Sequence, residues 1–468
     1  MNLHKYSQIQ RKLIFFTFLF SLFSLLPLPA QVTTPLSPWR GVGGEALSFS
    51  QLLDSALHNN IAVRRAKQNL QAAHLQRREA FTNYFPTISG AAMTFAANRD
   101  MVKMDIDPSE YITPELGMAL AQSLPAEALM ALSSPMTMTM MKNGTIAGIN
   151  AVLPIFTGGQ IINGNRLARV GEDVSSLQLQ LSHNDVERQL TEYFWQMVTL
   201  QEKRHTLDAV DSLLATIHAD AQAAVDAGVA LRNDLLQVQL RQNDIASQRL
   251  KLNNGIGLLR LIIAQFCGLA TTDFTIAIPS SEVQPDYPIV NSPIANCVEF
   301  QLLEKQVTAT TLQRRMEIGM HLPSLAVGAG YNYHNLFDND RHFGMVFATL
   351  SVPVTDWWGG SLAIKRKRIA EQQAREQLDD NAHLLAIRQQ KAANDVAEAQ
   401  NQIQLADKSI TQARENLRIH TDTYHAGTTT MSDLLEAQLL LQQSLDKRTD
   451  AVAAFHNATL AYRHATGQ

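Results

Sequence analysis

The chain contains a long internal duplication. Residues 59–95 return at 296–332, and residues 154–268 return at 353–467. Short motifs repeat in register. Leu75-Gln76-Arg77-Arg78 recurs as Leu312-Gln313-Arg314-Arg315, and Gly228 with Asp234-Leu235-Leu236 recurs as Gly427 with Asp433-Leu434-Leu435. Pro86, Pro154 and Gly268 recur as Pro323, Pro353 and Gly467. Two halves with the same order of punctuation describe one architectural unit built twice. The offset between copies falls from 237 to 199 along the chain, so the first half carries 38 extra residues between Asn98 and Asn143.

Punctuation inside each half is sparse where helices are expected. There is no proline from Ile155 to Ile278 or from Val354 to Gln468, and Gly427 is the one glycine between Ser361 and Thr466. These stretches are rich in Ala, Gln, Leu and charged residues, which favour helix. The expectation is a long helix over 162–227 and another over 361–425. Each is broken once, at Gly228 and Gly427, where glycine enters the left-handed region without steric cost. Return helices follow over 231–267 and 430–465. The first long helix would run about 99 Å at 1.5 Å per residue. A heptad pattern is expected in it, with Val186, Tyr193, Leu200, Leu207 and Leu214 at d and Leu190 and Met197 at a. Arg204 and Asp211 interrupt the a series.

Shorter helices are expected near Ser48–Thr82 and Asn296–Gly319, with a capping box from Ser48 and Gln51. Between short and long helices the texture alternates, as strands do. Strands are expected near 85–97 and 143–156 in the first half, and near 322–333 and 342–354 in the second. Two hairpins cannot close a membrane barrel, for which eight strands is the usual minimum. Copies of the chain must therefore combine. Tyr84, Phe85, Phe156, Tyr331, Tyr333, Trp357 and Trp358 sit near strand ends, a placement that suits a membrane–water interface.

The first thirty residues read as a secretory signal. A basic stretch with His4, Lys5, Arg11 and Lys12 precedes an apolar run from Leu13 to Leu26, then Pro27-Leu28-Pro29-Ala30. No later run of about 18 apolar residues suggests a membrane helix. The formal net charge of -4 lacks the basic excess that nucleic-acid binding requires. Two cysteines, Cys267 and Cys297, flank the linker between the halves, and spacing alone leaves a disulfide and two free thiols both open. No His-Glu-x-x-His pair or Walker phosphate loop occurs, so no enzyme activity, cofactor or metal centre is expected. The 38-residue addition is rich in methionine. Met136, Met138, Met140 and Met141 offer soft sulfur for Cu(I), but an apolar loop or strand extension explains them more simply.

The organisation therefore reads as a signal over 1–30, a linker over 31–46 and a first repeat over 47–268. A linker over 269–295 and a second repeat over 296–467 complete it. The order helix–strand–strand–helix–helix, given twice, resembles the TolC family of bacterial outer membrane efflux proteins. So do Leu153-Pro154-Ile155-Phe156-Thr157-Gly158-Gly159, its partner Val352-Pro353 through Gly359-Gly360, and the tip Tyr424-His425-Ala426-Gly427 through Leu435.

The resemblance implies a mainly α fold with a small β part. Long helices would form a periplasmic α-barrel, and a homotrimer would close a 12-stranded outer membrane β-barrel in a Gram-negative bacterium, in contact with outer membrane lipid. It implies a passive exit channel of a tripartite efflux system. Gly228, Leu231, Gly427 and Thr428 would meet a periplasmic adaptor, joined to an inner membrane RND, ABC or MFS transporter. It places a channel gate at Asp433, Glu436 and Tyr424. Thr429 stands where the best-known member of the family has an arginine that helps lock the closed state, and Arg232 is a candidate replacement. The same fold would serve a type I protein secretion system, and a periplasmic coiled-coil scaffold without a pore is a third alternative.

Overall fold

A computed structural model describes residues 46–107, 112–125, 127–128, 130, 136–277, 292–336, 340–354 and 356–467. The expected signal over 1–30, residues 31–45 of the N-terminal linker and residues 278–291 of the inter-repeat linker lie outside them. The first half runs β1 (Ala46–Leu47), α1 (Phe49–Asn59), α2 (Ile61–Thr82), β2 (Thr87–Ala96), β3 (Val102–Ile106), α3 (Pro114–Ser123), β4 (Met136–Met140), β5 (Asn143–Thr157), α4 (Gln160–Asp226) and α5 (Arg232–Cys267). After β6 (Thr275–Ile276) and a short 3-10 turn at Ile294–Asn296, the second half runs α6 (Val298–Met320), β7 (Ser324–His334), β8 (Arg341–Ser351), α7 (Asp356–His425) and α8 (Met431–Thr466).

The helix expected over Ser48–Thr82 is two helices. Ser48 and Gln51 form the capping box of α1. The break falls at Asn60, whose side chain accepts from the Ala62 N–H at 2.9 Å and so restarts the chain as α2. The corner is tied to the end of α5. Ser55 Oγ and Asn59 Nδ2 donate to the Cys267 carbonyl at 3.0 and 3.1 Å, and Asn60 Nδ2 donates to the Phe266 carbonyl at 3.3 Å. The second half repeats this join with other atoms. Cys297 Sγ donates to the Ala465 carbonyl at 2.9 Å, and Gln389 Nε2 donates to the same carbonyl at 2.8 Å. Both cysteines are buried and free, so no disulfide links the halves. Burial pushes the Cys267 thiol up to about 12.

The two long helices have 67 and 70 residues, or about 100 and 105 Å of rise. On α4 the buried stripe runs Val186, Leu190, Phe194 and Met197, then Leu207, Val210, Leu214, Ile217 and Ala221. Tyr193 and Leu200, expected in the seam, flank it half-buried while Phe194 takes the inner place. The helix meets several neighbours here, so its apolar face is broader than a two-stranded seam. The buried stripe of α7 is small-residue: Ala392, Ala399, Ala406 and Ala413 recur every seven, alternating with Val396, Ile403 and Ile410. Alanine at each a position lets α8 approach closely along this length. The double glycines differ between halves. Gly158 and Gly159 precede α4 with φ of 62° and 80°, whereas Gly359 and Gly360 lie inside α7, which starts at Asp356 rather than 361. A methyl at Gly360 would fall on the His321 ring at 2.5 Å, so glycine there permits a helix–helix approach rather than a turn.

β2, β5, β7 and β8 form one antiparallel sheet in the order β2-β5-β7-β8. The two halves join through β5 and β7, with Ala151 opposite Ala329 and a bulge between Pro154 and Phe156. The extra residues of the first half add a hairpin of β3 and β4, with Met104 opposite Met138, together with α3. They are thus a strand extension carrying a helix. Among the described residues, no helix is long and apolar enough to cross a membrane.

Candidate functional site

Two parts of the molecule stand out: the free-edged sheet at one end of the long helices and the paired helical tips at the other. Pleat alternation sorts the sheet into two faces. Ile88, Gly90, Ala92 and Thr94 of β2 share a face with Ala147, Ile149, Ala151 and Leu153 of β5. Val327, Ala329, Tyr331 and Tyr333 of β7, with His342, Gly344, Val346, Ala348 and Leu350 of β8, continue it. This face carries no Asp, Glu, Lys or Arg, and its large side chains stand in the open, Val346 at 85% exposure and Ile88 at 71%. The opposite face mixes Ser89, Asn150, Asn332, Arg341, Thr349 and Ser351 with Met93, Phe95, Phe343, Met345 and Phe347, and Asn332 lies over Gly148 and Asn150 over Gly330. The outer strands β2 and β8, of 10 and 11 residues, have no partner on their far edges among the described residues. Long flat free edges template pairing with another chain.

At the other end, both tips use the same stop signal. The Gly228 N–H donates to the Val225 carbonyl at 3.0 Å and the Val229 N–H to the Ala224 carbonyl at 2.9 Å. The Gly427 N–H donates to the Tyr424 carbonyl at 2.9 Å and the Thr428 N–H to the Thr423 carbonyl at 3.0 Å. These are paired Schellman closures, and they need the left-handed φ of 72° and 76° at Gly228 and Gly427. The turns then diverge chemically. The first exposes Val229 at 80% and Leu231 at 72%, and Leu231 gives α5 no side-chain cap. The second is polar. Thr428 is exposed, its Oγ1 donates to the Thr423 carbonyl at 3.1 Å, and Thr429 Oγ1 donates to Thr423 Oγ1 at 2.8 Å.

Asp433 closes a capping box with Thr430. Its Oδ2 accepts from Thr430 Oγ1 at 2.7 Å and from the Thr430 N–H at 3.2 Å, and these bonds hold its carboxyl below the usual carboxylate range. Capping is thus one established use of this residue, leaving Glu436, exposed one turn later on the same face, without a partner of that kind. Tyr424 is half-buried against the lower core of Leu214, Ile217, Met431 and Leu434. Burial pushes its phenol pKa up, and Asp234 and Asp220 of the first repeat add to the rise. The gate residues expected from sequence thus lie at one tip. Arg232 is exposed in the first turn of α5, without an ion pair among the described residues. Met136, Met138 and Met140 lie on β4, at the other end of the chain's long axis of elements, and Met141 follows with φ of 65°.

A polar seam above the tips went unnoticed in the sequence. Arg241 of α5 donates to Gln438 Oε1 at 3.2 Å and Gln442 Oε1 at 2.8 Å of α8, and Gln442 Nε2 donates to Gln248 Oε1 at 3.2 Å. Gln438 and Gln442 are buried, and they tie the two return helices together across the halves. The available signal was two glutamines four apart in the heptad continuing Met431 and Leu434, where apolar residues belong.

The sheet on hinged helix pairs is an architecture found in solved outer membrane channels. The outer membrane protein VceC from Vibrio cholerae superposes with a TM-score of 0.70 at 14% identity, covering 90% of this chain and 96% of that one. The Campylobacter jejuni CmeC outer membrane channel gives 0.71 at 14% identity, covering 90% and 85%. The open state of the Neisseria gonorrhoeae MtrE outer membrane channel gives 0.68 at 12% identity, covering 90% and 88%. No curated protein matches the chain. Residues 293–468 match the family model for the outer membrane efflux protein, and the solved channels share the fold across both repeats.

Proposed function

We propose that the protein is the outer membrane exit duct of a tripartite efflux system. Three copies would each give four strands to one barrel, and the long helices would form a tunnel reaching from the membrane toward an adaptor and an inner membrane transporter. The observation that carries this reading is the sheet. It has one face without Asp, Glu, Lys or Arg, two long edges without a partner among the described residues, and β2, β7 and β8 of 10 or 11 residues, the length a tilted membrane strand requires. An open edge is not tolerated in lipid, so closure by sister copies is the physical solution. A helix of about 100 Å exceeds the thickness of any membrane and demands a role outside it.

The tips are the proposed docking end. Leu231 and Val229 present apolar surface at the first turn, and Gly427 with Thr428 presents a polar one, so an adaptor would read two different turns alternately around the ring. Asp433, Glu436 and Tyr424 are the proposed gate, since rings of carboxylates formed by symmetry select and hold cations. The decisive experiment is purification in detergent followed by planar-bilayer recording, with photo-crosslinkers at Val229 and Thr428 in cells. A conducting trimer that captures a periplasmic adaptor supports the duct. A monomer that leaves membranes in carbonate, or tips that capture no adaptor, would sink it.

A further inference from the structure

A cavity of about 1100 Å³ opens between α2 and α4 directly beneath the sheet. Arg78, Arg166 and Arg169 line it, and no carboxylate pairs with any of them among the described residues. Arg77 and His74, in the same wall, are already engaged by Glu172 at 2.7 and 2.9 Å. The rim is apolar: Phe81 is 56% exposed, Ile162 49% and Tyr84 40%. Phe81 packs on both Tyr84 and Phe85 with ring centroids 5.6 Å apart, making an aromatic cluster at the foot of β2.

The duplication supplies a second, independent view. Arg78, Arg166 and Arg169 recur in the second half as Arg315, Lys365 and Arg368, and again no ion pair is formed by them among the described residues. The pair beneath them recurs too, with Arg314 donating to Glu371 at 2.5 Å. Unpaired cations therefore stand at the same height in both halves. They also stay open when neighbours are present. Helix α4 is flanked by α2 and α6 within this chain, and α6 by α4 and α7, yet Arg166, Arg169 and Arg315 remain exposed. Leu75 behaves differently, because its counterpart Leu312 is buried by such flanking.

We propose that this collar binds the phosphate headgroups of anionic phospholipids in the leaflet that faces the helices. The inference rests on the sheet lying in a membrane. Guanidinium groups match phosphate geometry, and aromatic and apolar side chains above them suit the glycerol and upper acyl region. The uncharged sheet face begins within a few residues of the rim, at Ile88. Phosphate-bearing lipid thus meets cations where the chain leaves the apolar layer.

The test uses full-length protein in neutral detergent, with native mass spectrometry after addition of phosphatidylglycerol or phosphatidylcholine. The wild type should retain phosphatidylglycerol preferentially. Arg78→Gln, Arg166→Gln and Arg169→Gln should each weaken retention about fivefold, and the triple variant on the order of a hundredfold. The triple Arg→Lys variant should keep most of the preference, and this pair of variants separates charge from packing. Equal retention by wild type and the triple Gln variant overturns the proposal, as does displacement of the lipid by millimolar inorganic phosphate. A change in pore ion selectivity with lipid retention unchanged also overturns it, because the collar would then line the lumen. Bilayer conductance of the same preparations reports separately on the duct, so its loss in the wild type would mark failure of the underlying reading instead.

Discussion

His456 offers a sharp test of the packing between the halves. Its ring lies flat on Trp195 of α4, centroids 3.8 Å apart and planes within 5°, and Phe455 closes one side. Nε2 has no hydrogen-bond partner. Burial pulls its pKa from 6.5 down to about 4. The sign follows directly: in the unfolded chain the ring takes a proton near pH 6.5, whereas the folded chain resists it until about pH 4. Stability is therefore full above pH 6.5 and is lost as pH falls toward 4. A gap of about 2.5 on the pH scale corresponds to ~3.4 kcal/mol, reduced to ~2 kcal/mol because the ring keeps some access to water. His456→Phe keeps the stacked ring and removes the titration. At pH ~7.5 the two proteins should differ by less than ~1.5 kcal/mol. At pH ~4.5 the variant should be the more stable by ~2 kcal/mol. Urea midpoints across this range, at one protomer concentration, measure the difference. The ion pair of His464 with Glu187 at 3.1 Å is common to both proteins and cancels. Parallel pH curves for the two proteins would refute the reasoning.

Other expectations are more local. Gly319→Ala would drive a methyl onto the carbonyl oxygen of Gly158, backbone against backbone, and should cost ~1–3 kcal/mol in thermal denaturation. Gly171→Ala is its control: nothing lies within 4 Å of the added methyl, so helix propensity alone should raise stability by up to ~1 kcal/mol. Ala399→Leu enlarges a 7%-exposed position in the alanine stripe of α7 and should cost ~1–3 kcal/mol with loss of α7–α8 coupling, read by hydrogen exchange. Asp433→Ala combined with Glu436→Ala should raise single-channel conductance, and an unchanged conductance would remove both from the proposed gate.

The long elements were readable because their signals are local. Gly228 and Gly427 mark turns by backbone sterics, and Pro-free stretches of good helix formers leave little alternative. Strand alternation was readable for the same reason, but which residues share a face came only from the register between strands. What failed depended on neighbours. The helix breaks at Asn60 because the Phe266 carbonyl accepts from Asn60 across 206 residues and the Cys267 carbonyl from Asn59 across 208. Phe194 displaces Tyr193 from the seam because more than one helix packs on α4. Gly360 looks like Gly159 in sequence, yet one sits inside a helix against His321 and the other turns the chain. At the tip, Asp433 reads equally well as cap or gate from sequence, and only the bonds to Thr430 reveal the first use.

The duplication also specifies how the proposed copies should meet. Within one chain, α8 crosses α4 through Trp195 with His456, and Lys203 with Asp450 at 2.8 Å. Shifted by 199, the same contact would join α7 of one copy to α5 of the next. Its chemistry changes at every position. Trp195 and His456 become Asn394 and Gly257, while Lys203 and Asp450 become Gln402 and Lys251. The cation has moved to the other helix, and Asp395 and Glu398 line the groove around Gln402 to receive it. Leu250 and Leu258 on α5, and Leu384 and Leu405 on α7, are 55–67% exposed and supply the apolar part. Lys251→Glu should therefore weaken the proposed trimer in detergent, measured by the protomer concentration at which it dissociates. Glu398→Lys added to it should restore assembly, because the pair is reversed rather than removed. A trimer indifferent to both changes would mean that the halves meet by one geometry inside the chain and by another between chains.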